Sequence, residues 1–444
     1  MSEDQKKNLT EENSQRREIL KALATIPVLG LFFVNLLEKY RREAIKKSNI
    51  LKDLVKEKNV PNVIKKISNS DHLNIGIIGY GGRGGHLVRG AGFATKGWID
   101  YATDAQKENK LHKALATFMS QEDLNCSLIG ACDLFDINLE LAVDASKNEI
   151  RPGGKPKGIA KKYKDYRELL ADDDIDAVII ATPDHWHSKI TTDAAKAGKH
   201  VYCEKGLTRT FDEAIDVYDT VKEAGITFQL GHQNRQVEAN EQARKIIEQG
   251  LLGPVNLVEL TTNRNSSWGA WVWNIHEKAN SKTIDWDMFQ KPAPNKIPFG
   301  EEALKRFFRW RCWYDYGTGL SGDLLSHDFD TINQIMNIGI PKYASSTGGI
   351  YFYKDGRDVP DVWNATFEYP DKDLTILYSA TLSSNSPRGN RIMGHDATMM
   401  MGGQSGGGSI HGFIVTADNE STKYRNRIKS GIINTKYPMY SYSP

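Results

Sequence analysis

A short apolar segment runs directly into a glycine-rich turn in the sequence Asn74-Ile75-Gly76-Ile77-Ile78-Gly79-Tyr80-Gly81-Gly82-Arg83-Gly84-Gly85-His86. Gly79, Gly81 and Gly84 stand at the spacing Gly-x-Gly-x-x-Gly, and we expect a helix from His86 onward. The first glycine permits a tight turn, the second lets the backbone approach a pyrophosphate, and the third lets the helix pack closely, with its first N–H groups facing the phosphates. The pattern predicts a dinucleotide site at Gly79, Gly81, Gly82, Arg83 and Gly84, with an ordinary tight turn as the alternative.

A dinucleotide site of this kind also needs an acid at the end of its second strand, where the carboxylate accepts hydrogen bonds from the adenosine ribose. The segment Cys126-Ser127-Leu128-Ile129-Gly130-Ala131-Cys132-Asp133 supplies Asp133. Its charge would repel a 2′-phosphate and so favours NAD over NADP. The acid is expected about 20 residues after the glycines, so we interpret the polar residues from 94 to 122 as a surface excursion between helix and strand. A solvated loop acid is the alternative for Asp133.

Two more strand-like runs each end in polar residues. They read Ile175-Asp176-Ala177-Val178-Ile179-Ile180-Ala181-Thr182-Pro183-Asp184-His185-Trp186-His187 and Ala197-Gly198-Lys199-His200-Val201-Tyr202-Cys203-Glu204-Lys205-Gly206. An amphipathic helix is predicted between them, over residues 187 to 197. In an open parallel sheet, ligands bind beyond the carboxyl ends of the strands. We therefore expect six residues at the ligand site: Thr182, Pro183, His185, His187, Glu204 and Lys205.

With these segments the sequence resembles the glucose-fructose oxidoreductase / inositol dehydrogenase (Gfo/Idh/MocA) family. Its members carry the dinucleotide turn, an A-T-P-x-x-x-H segment and a G-K-H-V-x-x-E-K-P segment, and the resemblance extends from residue 73 to about residue 384. It implies that Lys205 lies beside the nicotinamide and the substrate, where it orients the reacting hydroxyl and helps its proton leave. An exposed lysine at a strand end is the alternative. The family's proline after the Glu-Lys pair is replaced by Gly206 here.

The segment Ser321-Gly322-Asp323-Leu324-Leu325-Ser326-His327 places an acid and an imidazole four residues apart. On a helix that starts near Ser321, the two side chains share one face. The family carries the same D-x-x-x-H pair, and the resemblance implies that His327 is the base that takes the substrate hydroxyl proton. Imidazole titrates near neutral pH, which suits this step. Asp323 would bind a neighbouring hydroxyl or orient the imidazole, and a plain contact on a helix surface is the alternative.

Two further regions supply candidate substrate-binding residues. Asn234 and Arg235 follow a predicted strand at residues 227 to 230, and the family has a comparable Asn-Arg segment that lines its site. Further along, the region 268 to 316 is rich in aromatic residues and contains six of the nine tryptophans: Trp268, Trp271, Trp273, Trp286, Trp310 and Trp313. Aromatic rings beside arginines and aspartates can form a sugar-binding wall. From this region we select Trp310 and Tyr316, with a role in the core as the alternative.

Length, charge and cysteine content limit the class of protein. The chain has 444 residues, of which 39% are hydrophobic, and it can therefore bury large cores. Its 58 Lys and Arg residues against 56 Asp and Glu residues leave a net charge of +2, so no overall field points to nucleic acid. The four cysteines lack metal-ligand spacing, and we expect buried free thiols and no metal site.

The order of predicted elements indicates an α/β protein with two domains. Strands and helices alternate from residue 72 to 205, which predicts an N-terminal Rossmann dinucleotide-binding domain. Longer alternating strands follow at residues 255 to 263, 362 to 369 and 374 to 383. They predict a C-terminal α+β substrate and catalytic domain, 206–444, with an open, mainly antiparallel sheet. The glycine-rich stretch 402 to 408 predicts a flexible loop, either a connector or a lid.

Residues 1–71 differ in kind from the rest. Arg16 and Arg17 precede an apolar run from residue 22 to 37, and this order resembles a twin-arginine export signal. A membrane anchor and an amphipathic cytoplasmic helix are the alternatives. Residues 38 to 66 carry ten Lys or Arg and four Asp or Glu, which predicts a basic tether able to touch anionic lipid. We therefore expect a periplasmic protein or one associated with the inner membrane, with the cytoplasm as the alternative.

The motifs and the resemblance together imply an NAD(P)-dependent oxidoreductase. It would transfer a hydride between the hydroxyl carbon of a sugar, glycoside or polyol and a tightly bound nicotinamide cofactor, NAD or alternatively NADP. The expected partners are this small-molecule substrate and further copies of the chain in a homo-oligomer, without nucleic acid. Two other readings stay open. One is a redox-neutral NAD-dependent glycosidase of the same family, which oxidises a ring carbon transiently and then returns the hydride; the other is a noncatalytic dinucleotide-binding protein.

Overall fold

The computed structural model describes residues 72–107, 112–147, 159–266, 269–402 and 412–443. The predicted export signal and tether lie outside the described residues, as do Trp268 and all of the predicted glycine loop except Gly402. Within the described ranges, no helix is both long enough and apolar enough to cross a membrane. These ranges fall in one compact unit, His72–Pro444.

An open parallel sheet forms the N-terminal part of the described chain. Its strands are β1 (Leu73–Ile78), β2 (Cys126–Cys132), β3 (Lys161–Tyr163), β4 (Ala177–Ile180), β5 (His200–Glu204) and β6 (Phe228–Gly231). The helices along these strands are α1 (Gly82–Gly90), α2 (Lys96–Lys107), α3 (His112–Met119), α4 (Asp136–Ser146), α5 (Tyr166–Leu170), α6 (Asp184–Lys196) and α7 (Phe211–Ala224). The strand order is β3-β2-β1-β4-β5-β6. This arrangement confirms the predicted Rossmann fold.

The apolar runs of the sequence form the central strands because helices cover both faces of the sheet. Successive residues of β1 point to opposite faces. Ile77 packs with Val88 of α1 in one buried cluster, whereas Ile78 packs with Trp186 of α6 in another. The sequence of a strand that is buried on both sides is a continuous apolar run rather than an alternation of apolar and polar residues. The carboxyl ends of β1, β4 and β5 therefore lie at one edge of a rigid layer.

The excursion between α1 and β2 lies where it was predicted, but it contains two helices, α2 and α3. Ala94, Ile99 and Phe118 bury a small apolar cluster between them. The ring of Trp98 stands edge-on to that of Phe118, with 5.4 Å between ring centroids. Each helix is short, with 12 residues in α2 and 8 in α3, so neither has enough turns for its apolar periodicity to stand out in the sequence.

The parallel sheet continues beyond the domain boundary drawn at residue 205. Helix α7 crosses over after β5, and β6 then pairs in parallel with β5, with Glu204 opposite Gly231. A further strand covers the edge of β5, which would otherwise leave a row of backbone groups unpaired. The first domain therefore takes in residues up to about 231, and the boundary at 205 cuts through it.

A second sheet occupies the C-terminal part. Its strands are β7 (Val255–Asn263), β8 (Tyr343–Gly349), β9 (Val362–Tyr369), β10 (Leu374–Thr381), β11 (Asn390–Gly394), β12 (Ala397–Met401), β13 (Phe413–Ala417) and β14 (Tyr440–Tyr442), in the order β14-β13-β12-β11-β7-β10-β9-β8. Among the described pairs, β7 with β10 is parallel and the others are antiparallel. The prediction of an open, mainly antiparallel sheet is therefore confirmed.

Helices cover one face of this second sheet. They are α8 (Glu238–Glu248), α9 (Trp286–Phe289), α10 (Glu301–Phe308), α11 (Ser326–Met336) and α12 (Arg425–Lys429). Buried residues alternate along β10, and Ile376 joins Ile332 of α11 in the core. A π-helical turn, Ser321–Leu325, leads into α11 at the position where the sequence predicted the start of an ordinary helix. Wider turns of this kind occur often at functional sites.

Candidate active site

A cavity of about 880 Å³ extends from the glycine turn after β1 to the start of α11. This volume lies within the range of small-molecule and cofactor sites. Twelve of the predicted site residues line the cavity: Gly79, Gly81, Gly82, Arg83, Asp133, Thr182, Pro183, Glu204, Lys205, Trp310, Asp323 and His327. Residues that are distant in sequence therefore meet at the carboxyl edge of the parallel sheet.

The glycine turn has the geometry that its spacing predicts. Gly79 adopts φ +88°, and a Cβ atom there would lie 2.8 Å from the carbonyl oxygen of Ala181. A Cβ on Gly84 would stand 2.1 Å from the Gly79 oxygen, so this glycine lets α1 pack against the turn. Added Cβ atoms on Gly81 and Gly82 would meet nothing within 4 Å. Because both residues line the cavity, their missing side chains leave space where a pyrophosphate can approach the backbone.

Asp133 lies at the end of β2, on the same side of the sheet as the glycine turn. Its Oδ2 accepts a hydrogen bond from the Tyr80 N–H at 2.6 Å, and its Oδ1 accepts one from the Phe135 N–H at 2.8 Å. Burial raises the pKa of Asp133 to about 6, although the two backbone hydrogen bonds act in the opposite direction. The carboxylate thus fixes the turn to β2 while it lines the cavity, which fits a position beside a ribose.

Arg83 joins the glycine turn to the end of β5. Its Nε donates to Glu204 Oε1 at 2.7 Å, and its Nη2 donates to Gln233 Oε1 at 3.2 Å. The Glu204 oxygen also accepts from the Tyr202 hydroxyl at 3.1 Å. The glutamate side chain is almost fully buried and therefore needs these partners. The contacts hold the first turn of α1 and the last residue of β5 in a fixed relation.

Lys205, Asp323 and Arg311 form a compact ionic cluster in the cavity wall. Lys205 Nζ donates to Asp323 Oδ1 at 2.6 Å and to the Asp323 backbone oxygen at 2.9 Å. Arg311 Nε donates to the same Oδ1 at 2.9 Å. Burial acts to raise the pKa of Asp323, but the charges of Arg311 and Lys205 outweigh it and hold the pKa well below its ordinary value. Asp323 is therefore ionised and fixes the position of the Lys205 amine.

His327 stands next to this cluster as a neutral imidazole. Burial, the charge of Lys205 and the neighbouring His232 together lower the pKa of His327 to about 3. Its Nδ1 is buried and has no hydrogen-bond partner among the described residues. The Thr182 hydroxyl, in the same cavity, likewise lacks a partner within the described chain. Buried polar atoms in proteins are rarely left unpaired, so both atoms are suited to contact a bound molecule.

Six of the predicted site residues lie outside the cavity wall. Gly84 lets α1 pack against the glycine turn, as described above. His185 and His187 point into the protein body: His185 Nε2 lies 2.7 Å from the Phe289 oxygen, and the His187 nitrogens lie 2.8 and 2.7 Å from the backbone oxygens of Gly206 and Thr182. Because α6 begins at Asp184, successive side chains turn away from the strand end. These two histidines position the loops of the site rather than line it.

The three remaining residues are substrate-binding candidates that the structure places elsewhere. Asn234 is buried, and its backbone oxygen accepts a hydrogen bond from the Asn240 side chain at 2.8 Å. Arg235 extends over the outer surface, where its Nη2 lies 2.6 Å from Asp330 Oδ1. Tyr316 is fully buried among aromatic rings of the second domain. The substrate-binding assignments of these residues are corrected accordingly, because Asn234 and Tyr316 are buried away from the cavity and Arg235 pairs with Asp330.

Several cavity residues had not been selected from the sequence: Asp184, Gln233, Arg264, Trp271, Trp273 and Arg311. The two tryptophans lie in the aromatic region, but their type alone does not distinguish a cavity wall from a core. Trp286 and Trp313 of the same region are in fact buried core residues. Arg311 follows Trp310 directly, and its guanidinium stacks on that ring at 4.1 Å from the centroid. The adjacent Trp-Arg pair was the available signal for this residue.

Comparison with known proteins agrees with this geometry. Residues 73–232 match the family model described as an oxidoreductase family with an NAD-binding Rossmann fold. Levoglucosan dehydrogenase of Pseudarthrobacter phenanthrenivorans is 29% identical over 224 residues, which are 48% of this chain and 47% of that protein. Myo-inositol 2-dehydrogenase of Thermotoga maritima is 29% identical over 120 residues, 27% of this chain and 36% of that protein. The chain thus spans about half the length, or less, of these curated relatives.

Solved structures show the same fold across both domains. A levoglucosan dehydrogenase in complex with NADH and levoglucosan superimposes with a TM-score of 0.54 at 19% identity, covering 80% of this chain and 78% of that chain. The WlbA dehydrogenase of Bordetella pertussis, in complex with NADH and UDP-GlcNAcA, gives a TM-score of 0.53 at 18% identity, covering 81% of each. Identities this low establish the fold alone. Residues 73–232 therefore resemble the NAD-binding Rossmann domain of the Gfo/Idh/MocA family of oxidoreductases.

Proposed function

We propose that this protein is an NAD-dependent oxidoreductase that acts on a hydroxyl carbon of a sugar, glycoside or polyol. The observation that supports this most strongly is that Lys205, Asp323 and His327 line the same cavity as Gly81 and Asp133. The relatives named as levoglucosan and inositol dehydrogenases point to the same class of substrate. The space above Gly81 and Gly82 and the buried carboxylate of Asp133 fit a dinucleotide. When bound, that dinucleotide supplies the acceptor or donor of a hydride.

The chain's own residues position the substrate hydroxyl and move its proton. Asp323 holds the amine of Lys205 in place by the 2.6 Å contact, and the amine donates a hydrogen bond to the reacting oxygen. His327 accepts the hydroxyl proton at a ring nitrogen, because its imidazole is neutral at working pH. The same surroundings disfavour the imidazolium, so His327 passes the proton on to solvent water. The ring of His232 lies edge-on to that of His327, with 5.8 Å between centroids, and is therefore a direct neighbour of the proton acceptor.

Substitution of the two proton-handling residues tests this proposal. We expect Lys205→Ala and His327→Ala each to lower kcat by about 100-fold or more, the scale for loss of a positioned proton-transfer group. NADH affinity should stay close to that of the wild type, because neither residue belongs to the glycine turn. Turnover would be followed by nicotinamide absorbance on a panel of sugars and glycosides, and cofactor affinity by fluorescence titration. Lys342→Ala, an exposed lysine on the second domain, is the control.

The same panel separates this function from its rivals. Net formation of NADH from a free or glycosidic sugar supports the oxidoreductase. Release of the aglycone without net NADH identifies the redox-neutral glycosidase instead. Wild-type rates in either alanine variant would remove that residue from the mechanism. Tight cofactor binding without turnover of any compound in the panel would favour the noncatalytic protein.

A further inference from the structure

Arg311 contacts the ionic cluster through only one of its three side-chain nitrogens. Its Nε donates to Asp323 Oδ1 at 2.9 Å, while neither terminal nitrogen makes a hydrogen bond within the described chain. The residue lines the cavity, and 28% of its side-chain surface is accessible there. Arginine presents its N–H groups as a planar fork. The unused side of that fork is therefore open to a molecule in the cavity.

The guanidinium is also held in a fixed orientation. It stacks on the ring of Trp310 at 4.1 Å from the centroid, and its Nε bond to Asp323 prevents rotation about the stacked plane. A planar group fixed in this way loses little conformational freedom when it binds a ligand. Its geometry matches the two oxygens of a carboxylate, which arginine binds through two parallel N–H···O contacts.

The carboxylates near Arg311 already have partners of their own, and Glu204 among them pairs with Arg83. Lys205 and Arg311 share the single carboxylate of Asp323. Asp184 is a further acid in this wall, but its Oδ2 already accepts hydrogen bonds from the Thr318 N–H and hydroxyl, and burial raises its pKa. A buried positive charge that shares its counterion with a second cation gains from a further anionic partner, which a group on a ligand could supply.

We infer that Arg311 binds a carboxylate of the substrate, and that the substrate class is a sugar acid, such as a uronic acid or its glycoside. This rests on the proposed function for the reaction itself. The binding claim stands on the open fork, the stacked guanidinium and the shared counterion. The competing reading is that Arg311 only holds Asp323 in place.

Matched pairs of ligands separate these readings. The full-length protein saturated with NADH would be titrated calorimetrically with methyl β-D-glucuronide and methyl β-D-glucoside, and with the corresponding galacturonide and galactoside. We expect a uronide to bind more tightly than its neutral partner by roughly 10- to 100-fold, the scale of hydrogen bonds to a charged group. Arg311→Gln should abolish this preference. Arg311→Lys keeps the charge without the fork and should retain only part of it.

Controls make the outcome decisive. Lys305→Gln removes a positive charge from the surface of α10, where Lys305 pairs with Glu301, and should leave both affinities unchanged. Unfolding midpoints check that each variant is folded. Equal binding of uronides and neutral glycosides by the wild type, or an equal loss of both in Arg311→Gln, overturns the inference. NADH formation from neutral sugars without uronide preference rejects this inference alone, whereas uronide binding without hydride transfer rejects the proposed function alone.

Discussion

Burial of His327 beside Lys205 sets its protonation state and also makes the stability of the protein depend on pH. The pKa of His327 is lowered to about 3, against 6.5 for an unperturbed histidine, by burial, by the Lys205 charge and by His232. Between these values the unfolded chain binds a proton that the folded protein excludes. The free energy of unfolding therefore rises with pH from about 3 to 6.5 and levels off above that.

A non-titrating substitution should remove this contribution. When the pH falls from 7.5 to 5, His327 should lower the free energy of unfolding of the wild type by about 2 kcal/mol. His327→Gln should not show this loss. Urea unfolding at the two pH values measures the difference. His185, whose pKa is also lowered to about 3, contributes equally to both proteins and cancels. The exposed His395→Gln serves as the control. Equal pH dependence in wild type and His327→Gln would show that the imidazole is not held neutral by its surroundings.

Individual residues were predictable where the backbone alone fixes their position. The end of β5 fixes Glu204 and Lys205, and both line the cavity as predicted. On α6 the predictions for His185 and His187 did not hold, because each helical residue is rotated by about 100° from the one before. Distance from a strand end does not reveal that direction. Arg311 escaped prediction for another reason: its partner Asp323 lies in a different element, and only the fold brings them together.

The strand–turn–helix unit of β1 and α1 uses its glycines for two separate purposes, and substitution should separate them. Gly81→Ala adds a methyl group where nothing lies within 4 Å, so the protein should fold normally but lose NAD affinity by roughly 10- to 100-fold. Gly84→Ala places a methyl group 2.1 Å from the Gly79 oxygen and forces α1 away from the turn. We expect a loss of about 1–3 kcal/mol of stability.

Thermal unfolding and NAD titration of the two variants check this prediction. The expected pattern is a normal midpoint with weak binding for Gly81→Ala, and a lowered midpoint for Gly84→Ala. Gly90→Ala, at the end of α1 and with no atom within 4 Å of the added methyl group, should change neither quantity. A Gly81→Ala protein with wild-type affinity would place the pyrophosphate away from this turn.

Elements with a strong apolar period were the ones that the sequence predicted well. Strands β7 and β9 have the predicted bounds, since each alternates over eight or nine residues. The π-helical turn Ser321–Leu325 was predicted as ordinary helix, because one extra residue in a turn leaves the local composition unchanged. Helices α2 and α3 were missed because each buries few apolar residues. Local pattern therefore predicts long elements but not irregular turns.

The arrangement of the two sheets makes the cavity a property of the whole molecule rather than of either domain. Gly79 and Asp133 come from the parallel sheet, whereas His327 comes from the helix on the second sheet. An isolated β-bridge between Phe135 and Ile284 also connects the two parts. The sequence predicted both folds but could not predict how they join, because these contacts link residues more than a hundred positions apart. Release of a bound cofactor would therefore depend on cavity residues from both domains.

The final prediction joins this enclosed site with the twin-arginine-like sequence at Arg16 and Arg17, which lies outside the described residues. An enzyme exported in folded form works where no pool of free nicotinamide cofactor is expected, so a cofactor that dissociated could not be replaced. If these arginines direct export, the dinucleotide should stay bound through gel filtration and be recycled in place, by a second sugar or by return of hydride to the same substrate. Such retention requires a low off-rate for the dinucleotide.

Asp133 gives this prediction a sharp test, because its carboxylate ties the glycine turn to β2 through the N–H groups of Tyr80 and Phe135. Mass spectrometry after gel filtration should find dinucleotide in the wild type but not in Asp133→Ala. A reporter fused to residues 1–45 should leave the cytoplasm, and the double substitution Arg16→Lys with Arg17→Lys should keep it there. Wild-type protein that purifies empty, together with a reporter that stays inside, would instead indicate a cytoplasmic dehydrogenase that exchanges its cofactor at each turnover.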